Sequence, residues 1–407
     1  MDGKNAAYEI NVPMTVVGEG AVFVYTIKNA NVLNDRFEFE KADVVIKDGK
    51  IAHKTANSEK AGIAEGEIID ACGKYVLPGL VNIHTHGAVG FDCVDCDYNG
   101  INEMSKYWAS TGTTTFLATT TTASYDDTKK AMSVIAEAIK RGTDGAAVAG
   151  INMEGPYLAA SHKGAHRADL LRSPKEFCFD DIQKAAEGNI KLVTLAPEID
   201  GAIDFVKKHA KDVRISLGHT GAGYEDCMAA FENGAKHVTH LFNAMPPIHH
   251  RNLSLIAAAF ENDVTVEIIG DGLHVKPVSV MMAYKLFGDE KLIFINDSMQ
   301  AAGLGEGEYY FCGTHVVVKD NIACNDENTI VGGIASLWDC VKNAVSWGIP
   351  LESAVKMASY NPASAVGLGE KTGSIKEGLD ADIVIASDKL DVEDVFVRGR
   401  RIHAGKK

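Results

Sequence analysis

Tyr75-Val-Leu-Pro-Gly-Leu-Val-Asn-Ile83 is an apolar run, and His84-Thr85-His86 closes it. In an extended strand the side chains at i and i+2 point to the same face. Two imidazoles are therefore offered together at a strand's end. Neutral imidazole is the commonest nitrogen ligand for zinc and ferrous iron. A His-x-His on an isolated surface strand more often binds nothing, so its meaning depends on what the rest of the chain brings to the same place.

Downstream of this run the chain alternates strand and helix patterns. Apolar, mostly β-branched runs occupy residues 80–86, 113–119, 146–154, 191–198, 213–219, 237–241, 264–270 and 291–297. Nearly continuous apolar character is expected of parallel strands buried on both faces. Helical periods fall between them. Residues 126–141 place Met132, Ile135, Ala136 and Ile139 on one stripe with Gly142 as a stop, and residues 223–233 do the same with Cys227, Ala230 and Phe231. Eight strands with intervening helices predict a (β/α)8 TIM-like barrel over residues 76–372. The flanks read differently. Residues 21–70 and 373–402 carry short alternating strands and turns, such as Asp48-Gly49, and no helical period. Residues 1–75 and 373–407 are expected to build one small β-sandwich from both chain ends, and the first twenty or so read as a polar extension or an extra strand.

A chain of 407 residues, 46% of them hydrophobic, is long enough for a large barrel plus an accessory unit. A formal charge of −15 argues against a nucleic-acid binder, since no broad basic surface can be spread over it. The N-terminus lacks a basic region followed by an apolar core, and no apolar run reaches membrane length. The eight cysteines show no pairing pattern; Cys93-Val-Asp-Cys96 is the one close pair, and it reads as reduced structural thiols in a cytoplasmic protein.

In a barrel of this kind the reactive groups sit at the C-terminal ends of the strands. The first strand ends in His84-Thr-His86, the third in Glu154, the fifth in His219 and the sixth in His240. The seventh ends in Asp271 with His274 just beyond, and the eighth in Asp297. Any one could be a satisfied core or capping residue. Together they are hard to explain by packing, because ionisable groups are poor apolar fillers. Glu154, His219 and His240 suit a three-ligand site that leaves a position for water. His84 and His86 could supply most of a second site, with Asp297 as base, as ligand, or as both. Such ligation suits zinc or ferrous iron, with cobalt or manganese as alternatives. The expected cofactor is thus one or two divalent metal ions, which lower the pKa of bound water toward neutrality. His237 lacks strand-end context and reads as an ordinary core histidine.

Longer motifs surround these residues: Pro78-Gly-Leu-Val-Asn-Ile-His-Thr-His-Gly, Asn152-Met-Glu-Gly-Pro-Tyr, Lys163-Gly-Ala-His, Leu217-Gly-His-Thr, Thr239-His-Leu-Phe-Asn-Ala-Met, Asp271-Gly-Leu-His-Val and Asn296-Asp-Ser-Met. By them the chain, from about residue 25 to 400, resembles the N-acetylglucosamine-6-phosphate deacetylases of the amidohydrolase superfamily. The resemblance implies a barrel with a sandwich from both ends, and removal of acetate from an N-acetylated amino-sugar 6-phosphate. By the same analogy Glu154, His219 and His240 bind the principal metal, Asp297 is the acid/base, and His274 polarises the scissile carbonyl. Ala165, His166, Asn243 and Ala244 match sugar-phosphate contacts, and Ile330, Val331 and Gly332 match a loop over the substrate. Asp271 and His250 are placed beside them as substrate contacts. Arg251 matches an arginine that reaches the phosphate from the neighbouring subunit of a homodimer. Three positions depart from the family pattern: Arg251-Asn-Leu-Ser-Leu replaces the usual Glu-Pro-Gly after the arginine, Asn296 replaces a threonine, and Gly332-Gly333 replaces Gly-Ser. The first and third touch substrate contacts and so bear on the sugar epimer and the phosphate requirement, and N-acetylgalactosamine 6-phosphate is an alternative substrate. Two rivals are another amidohydrolase acting on a cyclic amide, with a carboxylated lysine at the fourth strand's end, and a non-catalytic assembly relative.

Overall fold

The computed structural model describes residues 24–311 and 313–403. The expected extension or extra strand at the N-terminus lies outside them.

Eight parallel strands form the barrel: Leu80–Asn82, Thr113–Thr120, Ala147–Glu154, Ile190–Leu195, Arg214–Leu217, His237–Val238, Thr265–Ile269 and Leu292–Ile295, each hydrogen-bonded to the next in that order. The first and last meet at the rim, where the Asp297 N–H donates to the His84 carbonyl (3.2 Å). Lower down, Asn82 Nδ2 donates to Asn296 Oδ1 (2.7 Å), and Asn296 Nδ2 donates to the Ala335 carbonyl (3.0 Å). Asn296, the departure from threonine, thus links the barrel seam to the loop that follows. Val81, Leu117, Leu192 and Ile293 pack the interior, and Ala363, Ala365 and Leu368 close its floor.

Helices cover the outside, and their ends follow from local chemistry. Tyr125–Arg141 begins at Ser124, whose hydroxyl accepts from the Asp127 N–H, with Asp126 and Asp127 in the first turn. It ends with Lys140 and Arg141 at the negative pole of the helix dipole and Gly142 at φ 81°. Met132, Ile135 and Ala136 are buried as the stripe requires.

A second sheet joins the two chain ends. Its order is Arg400–His403, Val392–Val397, Ile383–Ala386, Tyr75–Pro78, Val24–Leu33, Phe39–Lys47 and Lys50–Thr55, with Glu67–Asp70 also on Val24–Leu33. It curls into a sandwich around Ile27, Val44, Ile46, Ile51, Val76, Ile383 and Phe396. The apolar run that opens the chain's central pattern therefore serves two sheets. Tyr75–Pro78 pairs with Ile383–Ala386, and after Gly79 the same run enters the barrel as Leu80–Asn82. A Cβ on Gly79 would lie 2.3 Å from the Thr114 side chain, so the crossing admits no side chain.

After the eighth barrel strand comes an element that the periodicity does not announce. Gly307–Phe311, Thr314–Lys319 and Ile322–Asn325 form a three-stranded antiparallel sheet. Met299, Phe311, Val316, Val318, Ala323 and Val331 pack under it, and it roofs one side of the barrel mouth. No helix among the described residues is long and apolar enough to cross a membrane.

Candidate active site

The strand ladders stop just short of the residues that matter. The fifth strand ends at Leu217, the sixth at Val238 and the eighth at Ile295. His219, His240 and Asp297 follow, with φ values of 48°, 26° and 46°. A left-handed backbone cannot continue a ladder, so the chain turns there and aims each side chain into the mouth. Glu154 is the last residue of the third strand. The His-x-His segment also lies past its ladder, yet both rings enter the site, 5.3 Å apart by centroid. Alternation therefore predicts the shared face correctly, although the strand itself is shorter than expected.

Two groups of ligand-capable side chains result, Glu154 with His219 and His240, and His84 with His86 and Asp297; within each the candidate atoms lie within 4.8 Å of one another. His219 Nε2 and His240 Nε2 are 3.0 Å apart, and each is 3.1 Å from Glu154 Oε1. His219 Nδ1 faces the His162 carbonyl at 2.9 Å, which places the ring proton there and a lone pair on Nε2. Burial pushes His219 down to about 4, so the ring is neutral. His86 Nε2 is 3.1 Å from Glu154 Oε2 and 3.2 Å from Asp297 Oδ1, while His84 Nε2 is 3.5 Å from Glu154. Glu154 thus stands between the groups, with Oε1 toward His219, His240 and His84 and Oε2 toward His86.

This donor set fits divalent cations. Converging lone pairs and carboxylates without their own protons need a positive charge to hold them together. The electrostatics agree. Burial would lower His84 and His86, but carboxylates outweigh it: Glu154, Glu267 and Asp297 raise His84, and Asp297 and Glu154 bring His86 up to about 9. Glu154 and Asp297 are held well below the usual carboxylate range against burial, chiefly by the charge of His84, with hydrogen bonds from His166 and His240 to the one and from His86 to the other. The buried His84 Nε2, His86 Nδ1 and His240 Nδ1 have no hydrogen-bond partner among the described residues.

A cavity of about 270 Å³ opens over these groups. Its lining includes His86, Glu154, His219, His240 and Asp297, together with the expected Ala165, His166, Asn243, Ala244, His274, Ile330, Val331 and Gly332. Gly164 lies so close that a Cβ would approach His219 Cε1 to 3.1 Å. His166, which lines the cavity, also faces the ligand groups. Its Nδ1 accepts from the Thr122 N–H (3.2 Å), leaving Nε2 to face Glu154 Oε2 at 3.4 Å.

Some expected contacts lie elsewhere. Asp271 does not line the cavity. Its Oδ2 bonds His274 Nδ1 at 2.6 Å, and its Oδ1 accepts from the Leu273 and His274 N–H groups. Against burial, this bond raises the His274 pKa and leaves Nε2 to face the cavity. Asp271 therefore orients His274 from outside the cavity lining. His250 and Arg251 are exposed and stand outside the cavity. His237 is not an ordinary core histidine: its Nε2 meets Glu267 Oε1 at 3.1 Å, and Glu267 Oε2 meets His84 Nδ1 at 3.0 Å. Glu267 and Phe311, whose ring stands edge-on 5.7 Å from that of His86, escaped the sequence reading. Gly333 accounts for the third departure: a Cβ there would lie 2.4 Å from the Asn296 carbonyl oxygen, so serine does not fit.

Residues 75–402 match the family profile described as Amidohydrolase family. The chain belongs to the amidohydrolase family. It is 34% identical over 385 residues to an N-acetylglucosamine-6-phosphate deacetylase from Bacillus subtilis (strain 168), covering 92% of this chain and 96% of the relative. An N-acetylgalactosamine-6-phosphate deacetylase from Escherichia coli O157:H7 is 32% identical over 80% of this chain and 87% of its own length. Among solved structures, an N-acetylglucosamine-6-phosphate deacetylase from Pasteurella multocida superposes with a TM-score of 0.87 at 29% identity, covering 94% of this chain and all of that one. Within the amidohydrolase family one rival arrangement is disfavoured here. The fourth strand's lysine, Lys191, stands at its start and not at its catalytic end, and Glu154 occupies the place between the two groups.

Proposed function

We propose that this amidohydrolase removes acetate from an N-acetylated amino-sugar 6-phosphate. The observation that carries the reading is the placement of Asp297 and His274 in one cavity with the Glu154, His219 and His240 cluster. Glu154, His219 and His240, and His84, His86 and Asp297, would hold divalent cations, which when bound would supply an acidified water and polarisation of a carbonyl oxygen. Zinc and ferrous iron suit these donors best.

The chain's own groups do the rest. His274, anchored by Asp271, presents Nε2 to the acetyl oxygen and stabilises the charge that develops there. Asp297 takes the proton of the attacking water and returns it to the leaving amine. Val331 and Gly332 hold the sugar against this pair, and the cavity walls keep bulk water from the reacting carbonyl.

The phosphate is assigned to Arg251 of a neighbouring copy in a homodimer. Arginine offers phosphate a bidentate fork that lysine and histidine lack. In support, Arg251 sits outside its own cavity, Ile248 and Leu253 in the same loop are exposed large hydrophobics, and so is Phe260 on the helix Leu255–Glu261 that follows. Val278, Met282 and Leu286 add an exposed apolar stripe on the helix Pro277–Lys291.

The test is acetate release from N-acetylglucosamine 6-phosphate, N-acetylgalactosamine 6-phosphate and both unphosphorylated sugars. Fast release from one or both phosphates is expected. Equal rates on the unphosphorylated sugars would remove Arg251 from its role. No release from any, with metal present in the purified chain, would overturn the reading.

A further inference from the structure

Glu267 has no place in the chemistry above. It sits mid-strand in Thr265–Ile269, fully buried inside the barrel, and does not line the cavity. Barrel interiors are ordinarily filled by branched apolar residues, and a carboxylate there is costly unless every oxygen is used. Here both are. Oε2 faces His84 Nδ1 at 3.0 Å and accepts from the His240 backbone N–H at 3.2 Å. Oε1 faces His237 Nε2 at 3.1 Å, and His237 Nδ1 meets Thr265 Oγ1 at 2.5 Å. Thr265 Oγ1 also lies 3.3 Å from the Lys236 carbonyl oxygen. A polar column therefore rises from the start of the strands to the site: Thr265, His237, Glu267, His84.

One carboxylate thus grips a residue from each of the two ligand groups. It holds His84 by the ring and His240 by the backbone. A proton on His84 Nδ1 is directed to Glu267, which leaves Nε2 as the lone pair facing Glu154 and Asp297 when a cation is present. Negative charge behind an imidazole also makes it a stronger ligand. The histidine and threonine below fix the carboxylate, since any other rotamer would strand His237 Nε2 in an apolar interior.

We infer that Glu267 is the positioning residue of the metal centre, braced by His237 and Thr265, and that it sets the orientation of His84 and the height of His240. This rests on the metal reading of the site given above, and its test does not use the substrate.

The probe is cobalt(II) titrated into the metal-stripped full-length chain, with affinity read by chelator competition and geometry by the visible absorption of the bound ion. Glu267→Gln keeps the shape and removes the charge; its affinity is expected to fall about 10–100-fold, with an altered cobalt spectrum. Thr265→Val leaves Glu267 in place and only loosens its brace, so a smaller fall in the same direction is expected, and this variant carries the test if the first does not fold. Wild-type affinity and spectrum in a folded Glu267→Gln chain, or in Thr265→Val where that is the variant available, would overturn the assignment even if the melting temperature drops. A wild-type chain that binds no cobalt would overturn the metal reading instead.

Discussion

The barrel rim and the loop at residues 246–253 stand in contrast. At the rim Glu154, His84, His219 and His240 are buried, and His84 and His219 each tie the far ring nitrogen to an oxygen of this same chain. In the loop, Pro247 to Leu253 are exposed, and the Arg251 guanidinium has no partner among the described residues. Polar contacts there are local: His249 Nδ1 accepts from the Arg251 and Asn252 N–H groups, and the His249 and His250 rings stack 4.8 Å apart. The departure after Arg251 falls in this loop. The half assigned to the reaction is drawn from one chain. The half assigned to recognition is presented outward, which is the arrangement expected if it completes another copy.

That contrast orders the expected effects of substitution. Asp297→Asn should cost about 10²–10⁴-fold in kcat, the usual worth of a positioned acid/base. Metal content, measured in the same preparation, should stay near the wild-type level at Glu154, His219 and His240. Retained turnover would remove Asp297 from the proton transfer. His274→Asn should cost about 10²–10³-fold, again mainly in kcat, because the interaction matters only as charge develops on the oxygen. A change confined to KM would make His274 a binding residue.

Arg251→Gln belongs to the other half. Charge-assisted hydrogen bonds are worth about 1.5–3 kcal/mol, so kcat/KM on the phosphorylated sugar should fall about 10–100-fold while the unphosphorylated sugar is unaffected. Mixing this variant with an Asp297→Asn chain tests the assignment across copies. A mixed dimer carries one active site with both residues intact if Arg251 reaches its neighbour. Recovery of part of the activity on mixing is expected, and no recovery in a mixture shown to exchange subunits would return Arg251 to its own chain.

The rim was legible in the sequence because its logic is one-dimensional. Buried parallel strands read as apolar runs, and the residue after each run projects into the mouth, so Glu154, His219, His240 and Asp297 could be found by counting. Glu267 was not, because a lone carboxylate inside Val264-Thr-Val-Glu-Ile-Ile reads as a flaw in the run; that flaw was the available signal. His237 escaped for the same reason, standing at a strand's start and not its end. Asp271 was visible as a strand end, but its bond to His274 depends on a turn three residues long that periodicity does not describe. The roof strands Gly307–Phe311 and Thr314–Lys319 are short and cover one face only, so their alternation is weak and their packing partners are distant in sequence.

The smallest expected effect on turnover comes from a carboxylate as deeply buried as those of the site but without their histidines. Asp382 lies at the joint between sandwich and barrel, where Gly79 N–H donates to its carbonyl. Its side chain accepts from Thr372 Oγ1 at 2.6 Å and from the Arg398 N–H at 2.8 Å. Burial pushes it up to about 6, whereas Glu154 and Asp297, facing histidines, are drawn down. The native chain therefore binds a proton that the unfolded chain, with a carboxyl near 3.9, has already lost. Stability must then fall as pH rises through the window from about 4 to 6, and the cost is fully present above it. Asparagine can accept from Arg398 N–H and donate to Thr372, so Asp382→Asn should gain on the order of 2 kcal/mol at pH 8 and nothing near pH 4. Melting curves at the two pH values check this, with acetate release unchanged; equal shifts at both would mean that ionisation of Asp382 is not what strains the joint.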